Sequence, residues 1–101
     1  MSIDGFVLHQ DDNVATLVNS ASQGDAITLR GYRKNAIVAM SEIPNGHKVA
    51  LHDLSTGAEV IKYGYVVGRM IKDVRQGEHV HTQNMQSNRG RGDLLRSSQQ
   101  G

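Results

Sequence analysis

Three stretches of this chain repeat one pattern: an acidic residue, a branched apolar residue, two free positions, a glycine, two further free positions and a valine. They run from Glu42 to Val49, from Asp53 to Val60 and from Asp73 to Val80. The branched residue is expected to anchor a turn in the core, and the glycine to supply the positive φ that lets the chain reverse into a strand. Three such corners predict a folded-over β structure. Their unequal spacing argues against a solenoid, whose repeats keep a fixed period.

Short apolar segments bounded by turn residues predict the strands of this structure. With 4% aromatic residues and no Trp, the core must be aliphatic, which suits short strands rich in β-branched residues. We expect strands at 5–9, 25–29, 35–40, 47–51, 59–68 and 79–81. Gly64 and Gly68 fall in the longest apolar run and predict bulges or bends where another backbone approaches closely.

One segment has the pattern of a helix start. Asp12 and Asn13 offer capping side chains, and Val14, Leu17 and Val18 follow at the i, i+3, i+4 spacing of a helical face. The sequence therefore predicts a mainly β fold with one or two short helical turns.

Length, charge and composition exclude several classes of protein. A chain of 101 residues makes one small domain with little volume for a deep active site of its own, so we expect a module. A net charge of +1 is too weak for sequence-independent nucleic-acid binding. Cysteine is absent, which excludes disulfides, thiolate metal sites and a Cys nucleophile. Without a signal peptide or a long apolar run, we expect a cytoplasmic protein that does not enter a membrane.

The composition changes after Asn84, where the chain becomes polar and rich in Gly, Ser and Gln. We expect a folded domain over residues 1–86 and a flexible polar tail over residues 87–101. The tail carries Arg89, Arg91 and Arg96 and an apolar Leu pair, a combination that could dock on a partner.

Polar side chains recur beside the glycine corners and are the candidate binding residues. His79 and His81 are expected on one face of a strand, where both side chains could bind the same metal ion or anion. Two imidazoles do not complete a metal site. Each of these residues also has a structural interpretation. His79 and His81 could be exposed or hydrogen-bonded histidines of a strand, Asp12 and Asn13 could be helix caps, and Lys48 could be a solvated side chain. We expect one group of substrate-binding residues near one rim of the β structure, with no metal ligands assigned: His9, Asp12, Asn13, His47, Lys48, Lys62, Tyr63, His79 and His81.

Several sequence blocks follow one another in a fixed order. They are His9-x-x-Asp12-Asn13-Val14-Ala15, then Gly46-His47-Lys48-Val49-Ala50-Leu51, then Gly57 with Val60-Ile61-Lys62-Tyr63-Gly64, then Gly68, and finally Gly77-Glu78-His79-Val80-His81 with Asn84. Together they resemble the SAF domain of the UxaA-type altronate and galactarate dehydratases, from about Leu8 to Leu94. The resemblance implies a β-clip fold, in agreement with the corners.

The resemblance implies the small subunit of a sugar-acid dehydratase, which works with a large catalytic subunit. That enzyme removes water from an aldonate or aldarate and gives a 2-keto-3-deoxy acid. The family's dependence on Fe2+ or Mn2+ fits the reaction, because a divalent ion neutralises the charge that develops beside the substrate carboxylate. Relatives often have a third histidine where this chain has Gln83. We therefore expect no metal in this chain alone and no activity without the large subunit.

Two alternatives stay open at this point. The small subunit of sulfolactate sulfo-lyase resembles the same blocks and expels sulfite instead of water, and the Arg-Gly-Arg-Gly-Asp tail favours the dehydratase over it. The chain could also be a non-catalytic module that binds carbohydrate acids or assists assembly. Its other expected partner is a second copy of itself, paired through an exposed strand edge.

Overall fold

In the computed structural model, which describes residues 2–88, nine short strands form two sheets, as the mainly β prediction requires. The strands are β1 (Asp4–Val7), β2 (Val14–Val18), β3 (Ala26–Gly31), β4 (Ala36–Val38), β5 (Lys48–Ala50), β6 (Glu59–Lys62), β7 (Tyr65–Met70), β8 (His79–Val80) and β9 (Met85–Ser87). One sheet has the order β4-β3-β1-β2-β5-β8 and the other the order β6-β7-β9. Only β1 and β3 pair in parallel among these neighbours. Within residues 2–88 no helix is long and apolar enough to cross a membrane.

The three predicted corners are confirmed. The glycines at positions 46, 57 and 77 have φ angles of 85°, 92° and 90°. The apolar anchors Ile43, Leu54 and Val74 are buried. Strands β5, β6 and β8 each begin two residues after their glycine. Local sequence therefore specifies both the reversal of the chain and the start of the following strand.

A fourth corner, at Ala21 and Gly24, escaped the sequence pattern. Gly24 has a φ of 95°, and Ala21 is buried. Ala21 forms an antiparallel bridge with Ile43, as Leu54 does with Val74, so the four corners form two pairs. The pattern missed this corner because Ser20, Ala21 and Ile27 stand where the others have an acidic residue, a branched residue and a valine.

Two aliphatic cores lie on opposite sides of strands β2 and β5. Ala15 and Val49 belong to one core, together with most of the buried residues of β1, β3 and β4. Val14 and Ala50, their chain neighbours, belong to the other, together with the buried residues of β6, β7, β8 and β9. Successive side chains of a strand point to opposite faces, so both strands are covered on both sides.

The predicted helical turn after Asp11 is wrong, because Val14–Val18 forms strand β2 between β1 and β5. Burial on both faces of this strand puts apolar residues at positions that resemble a helical spacing. Asp12 does accept backbone hydrogen bonds, but its donors are the preceding residues Leu8 and His9, at 3.0 and 3.1 Å.

The predicted single run over 59–68 is instead two strands, β6 and β7. They are joined by a tight turn in which Tyr63 and Gly64 have φ angles of 55° and 84°. The close approach predicted at Gly68 is confirmed, since a Cβ there would lie 2.6 Å from the carbonyl oxygen of Gln86 in β9. Met85–Ser87 is paired with β7, so the sheet reaches into the first residue of the predicted tail. Positions 89–101 of that tail lie outside the described residues.

Candidate functional site

Three imidazoles form one cluster, defined by His47, His79 and His81. Strands β5 and β8 pair antiparallel with Lys48 opposite Val80, and the same register one residue further places His47 opposite His81. The rings of these two histidines stack with their centroids 3.8 Å apart at an angle of 18°. His47 Nδ1 lies 2.9 Å from His79 Nε2. One ring nitrogen from each residue lies within 4.8 Å of the other two.

A buried asparagine, Asn84, holds the backbone that carries two of these histidines. Its Oδ1 accepts the N–H of His81 at 2.9 Å, and its Nδ2 donates to the carbonyl oxygen of His79 at 2.7 Å. The N–H of His79 donates to Ser41 Oγ at 3.1 Å. A buried amide that satisfies its partners fixes their position. Sequence reasoning included Asn84 in the last block of the resemblance but missed this role, and it missed Ser41 altogether.

Gln83 touches the cluster where relatives often have a third histidine. Its Nε2 lies 3.0 Å from His79 Nδ1. An amide N–H can only donate, so in this arrangement His79 Nδ1 accepts and its Nε2 carries the hydrogen that faces His47. The third imidazole thus comes from His47, which immediately precedes strand β5. The last corner itself thus carries only two imidazoles, and the cluster of three depends on a residue from another corner.

Two lysines, Lys48 and Lys62, lie close enough for their charges to interact. Burial, followed by the nearby positive charge of Lys62, lowers the pKa of Lys48 below 10.5. Both lysines line an open cavity of about 510 Å³, which Val66, Val67 and Met85 also line. The charge of Lys48 also acts on His79 and His81, so the lysine cavity and the imidazole cluster are coupled electrostatically.

Burial and positive neighbours favour the neutral forms of His79 and His81. Burial is the largest cause that lowers the pKa of His79, and His47, His81 and Lys48 add to it. The pKa of His81 is lowered by burial, then by His47 and Lys48. Nδ1 of His81 is also buried without a hydrogen-bond partner among the described residues. Neutral imidazoles keep a lone pair that can accept a proton or bind a metal.

Asp12 and Asn13, two predicted substrate ligands, form hydrogen bonds with backbone atoms of the chain. Asp12 is 5% exposed, and its second oxygen accepts the N–H of Gly64 at 2.8 Å. Asn13 Oδ1 accepts the N–H of Ile61 at 2.7 Å, and its Nδ2 donates to the carbonyl oxygen of Glu59 at 2.8 Å. These bonds fasten the start of β2 to β6 and to the turn after it. Their role as substrate ligands stays a prediction.

His9 and Tyr63 lie with Asp12 around the β6-β7 turn. The ring of His9 packs so closely on Gly64 that a Cβ there would lie 2.9 Å from its Cδ2. Lys62 connects this turn to the lysine cavity, because its Nζ lies 5.1 Å from the centre of the Tyr63 ring. The structure thus groups His47, Lys48, Lys62, His79 and His81 by contact or charge. The common rim predicted for the remaining residues stays a prediction.

The chain is similar in sequence to several known proteins. The chain is 37% identical over 94 residues to the (2R)-sulfolactate sulfo-lyase subunit alpha of Chromohalobacter salexigens, covering 88% of this chain and 99% of that protein. It is 33% identical over 81 residues to the altronate dehydratase of Escherichia coli, covering 80% of this chain and 16% of the enzyme. It is 35% identical over 74 residues to the galactarate dehydratase (L-threo-forming) of Escherichia coli, covering 72% of this chain and 13% of the enzyme.

The match to a whole family covers almost all the described residues. The family model for the altronate/galactarate dehydratase SAF domain matches residues 3–88, which include every strand and the imidazole cluster. The chain therefore belongs to the SAF-domain family of the altronate and galactarate dehydratases.

Proposed function

We propose that this chain is the small subunit of a sugar-acid dehydratase, which binds the carboxylate of an aldonate or aldarate and completes a site with a large subunit. The observation that carries the proposal is the lysine cavity. Two ammonium groups share it, and one of them, Lys48, is half-buried beside a like charge. Such an arrangement costs free energy that a bound carboxylate would offset through charge-assisted hydrogen bonds.

In this proposal both lysines stabilise negative charge on the substrate carboxylate. Loss of water from a sugar acid begins with removal of a proton from the carbon beside the carboxylate, which leaves extra negative charge on that group. Positive side chains held next to the carboxylate stabilise this charge, and they do so best in a partly buried site. The cavity is open, so the proposal assigns the proton-abstracting base and the remaining walls to the large subunit, and the assembled enzyme to the cytoplasm.

The imidazole cluster would serve the same reaction from the opposite face of the β5-β8 pair. A neutral imidazole can accept a proton, or pass one to a departing hydroxyl group. Of the two ions that the resemblance implies for the complete enzyme, Fe2+ is the one that His47, His79 and His81 would hold, because imidazole suits iron whereas Mn2+ prefers oxygen ligands. A bound ion would supply charge neutralisation next to the substrate.

A second candidate function is the alpha subunit of a (2R)-sulfolactate sulfo-lyase. It is favoured by the match to 99% of the Chromohalobacter salexigens subunit, whereas the dehydratases are matched over 16% of their length or less. Both candidates act on a 2-hydroxycarboxylate, and both remove a proton beside the carboxylate. They differ in the group that departs, which is water in one case and sulfite in the other. The lysine cavity suits the shared carboxylate.

Reconstitution with a large subunit tests the proposal and separates the two candidates. The chain should be inactive alone and should support turnover of aldonates, aldarates or sulfolactate when mixed with a large dehydratase-type subunit and Fe2+ or Mn2+. Release of sulfite would favour the second candidate. Turnover by the isolated chain would contradict the division of labour. Binding of sugar acids without turnover in any mixture would instead support a non-catalytic module.

A matched pair of lysine variants tests the carboxylate site. We expect Lys48→Met to lower kcat/KM of the assembled enzyme at least about tenfold, or about 1.4 kcal/mol, while exposed Lys72→Met leaves it unchanged. Because Lys48 is half-buried beside Lys62, its replacement by an apolar side chain should not lower the urea midpoint of unfolding. Equal activity of the two variants would refute the carboxylate site.

A further inference from the structure

We propose that His47, His79 and His81 form a binding site for one divalent transition-metal ion in this chain alone, without a large subunit. The site does not depend on the activity proposed above. It differs from the sequence prediction of no metal in the isolated chain, because that prediction did not include a third imidazole from His47, which lies just before strand β5.

The distances between the ring nitrogens are close to those of a metal centre. An ion with bonds of about 2.0–2.1 Å to tetrahedral nitrogen ligands holds those nitrogens roughly 3.3–3.4 Å apart. One pair, His47 Nδ1 and His79 Nε2, is 2.9 Å apart, and the set spans no more than 4.8 Å. On ion binding, the half-buried side chains would have to rotate about their own bonds to close the remaining gap. The backbone needs no movement, since Asn84 and the β5-β8 pairing already hold it.

The donor set selects the kind of ion. Imidazoles bind Zn2+, Co2+, Ni2+ and Fe2+ well, whereas Mg2+, Ca2+ and Mn2+ prefer oxygen ligands. The cluster in the described part of the chain consists of imidazoles only. Three protein ligands also leave a fourth position open, as in catalytic and not in structural zinc sites.

The apo cluster also contains a polar atom that a ligand would satisfy. Nδ1 of His81 is buried and has no hydrogen-bond partner among the residues described. An unpaired buried ring nitrogen costs free energy, and coordination through this nitrogen in its hydrogen-free form would remove that cost.

Gln83 acts as a positioning residue for this site. His79 Nε2 must lose its hydrogen to bind an ion, which moves the hydrogen to Nδ1, 3.0 Å from the Gln83 side-chain amide. A half-turn of that amide then presents its Oε1 as the acceptor. Metal-bound histidines usually donate their other N–H to such an oxygen, which fixes the ring and strengthens the ligand. The residue that replaces the third histidine of the relatives thus orients a ligand instead of being one.

Metal titration of the full chain tests the site. The chain is stripped with a chelator and titrated with Co2+, followed by its visible absorption, and with Zn2+, followed by calorimetry. We expect one equivalent of each ion and a spectrum of nitrogen coordination. Replacing His47, His79 or His81 by Ala should weaken binding more than about 100-fold, the upper end of the loss caused by outer-shell changes. The matched controls, His9→Ala and His52→Ala, should bind as the unaltered chain does.

Two further measurements keep the test decisive. Gln83→Leu should weaken binding about tenfold, and Gln83→Glu should restore it, which a merely structural residue would not do. Zn2+ should raise the urea midpoint of the unaltered chain and of His52→Ala, and should leave that of the triple histidine variant unchanged. No binding by the unaltered chain, or binding that survives in the triple variant, would overturn the proposal. Neither result depends on whether a lyase activity is found.

Discussion

Replacing Asn84 by Ala removes the two hydrogen bonds that hold the backbone of the imidazole cluster. Asn84 is 8% exposed, and it pairs with the N–H of His81 and the carbonyl oxygen of His79. Each bond contributes about 0.5–1.5 kcal/mol, and a backbone group left without a partner adds to the loss. We therefore expect the free energy of unfolding to fall by about 2–3 kcal/mol, a large share of the roughly 5–15 kcal/mol typical of a domain.

Urea unfolding measures this loss directly. For Asn84→Ala the midpoint should fall at constant m-value, and the melting temperature should fall by roughly 10–20 °C, since each kcal/mol shifts a domain of this size by about 4–8 °C. The matched control is Asn35→Ala, because the side chain of Asn35 is exposed and makes no hydrogen bond to another described residue. We expect that variant to lie within about 0.5 kcal/mol of the unaltered chain.

A second variant separates the two bonds. Asn84→Asp keeps an oxygen for the N–H of His81 but loses the donor to His79, and it places a buried carboxylate beside a carbonyl oxygen. We expect it to be at least as destabilised at neutral pH as Asn84→Ala. If Asn84→Ala lost no more stability than Asn35→Ala, the buried amide would not hold strand β8, and the reasoning would be refuted.

Two further predictions concern pH and a corner glycine. The pKa values of His79 and His81 lie below 6.5 in the folded chain, so the unfolded chain binds more protons as the pH falls through 6.5, and stability is lost there. At pH values below 6.5 the urea midpoint of the metal-free chain should decrease, and it should decrease less in a His79→Gln, His81→Gln double variant. An equal decrease in both proteins would contradict the role of these histidines. Gly57→Ala should cost about 1–2 kcal/mol for its positive φ. Gly77→Ala should lower the free energy of unfolding further, because its Cβ would also collide with the carbonyl oxygen of Val38. Urea unfolding of the two variants measures this difference.

Features that a few neighbouring residues determine were predictable from the sequence. A corner needs an apolar anchor and a glycine three residues later, so the turns after Ile43, Leu54 and Val74 could be identified without knowledge of their neighbours. Strand β2 could not, because its two-sided burial arises from pairing with β1 and β5 and from two separate cores. Its apolar spacing fits a helix equally well, and tertiary packing decides between them.

The candidate site was likewise predictable only in part from the sequence. The His-x-His spacing of β8 was visible, because residues two apart on a strand share a face. The contribution of His47 was not, because it lies 32 residues before His79 and meets it only through the β5-β8 pairing. The role of Asn84 was hidden for another reason, since its amide binds backbone atoms that look alike in every sequence.

The corners explain why the imidazole cluster lies where it does. His47 follows Gly46 directly, and His79 begins the strand two residues after Gly77. Two equivalent corners thus deliver histidines to the beginnings of two strands, and antiparallel pairing of those strands overlaps the start of one with the end of the other. His47 therefore meets His81 and not only His79. Such a site needs no deep pocket, since it uses turns that the fold already requires.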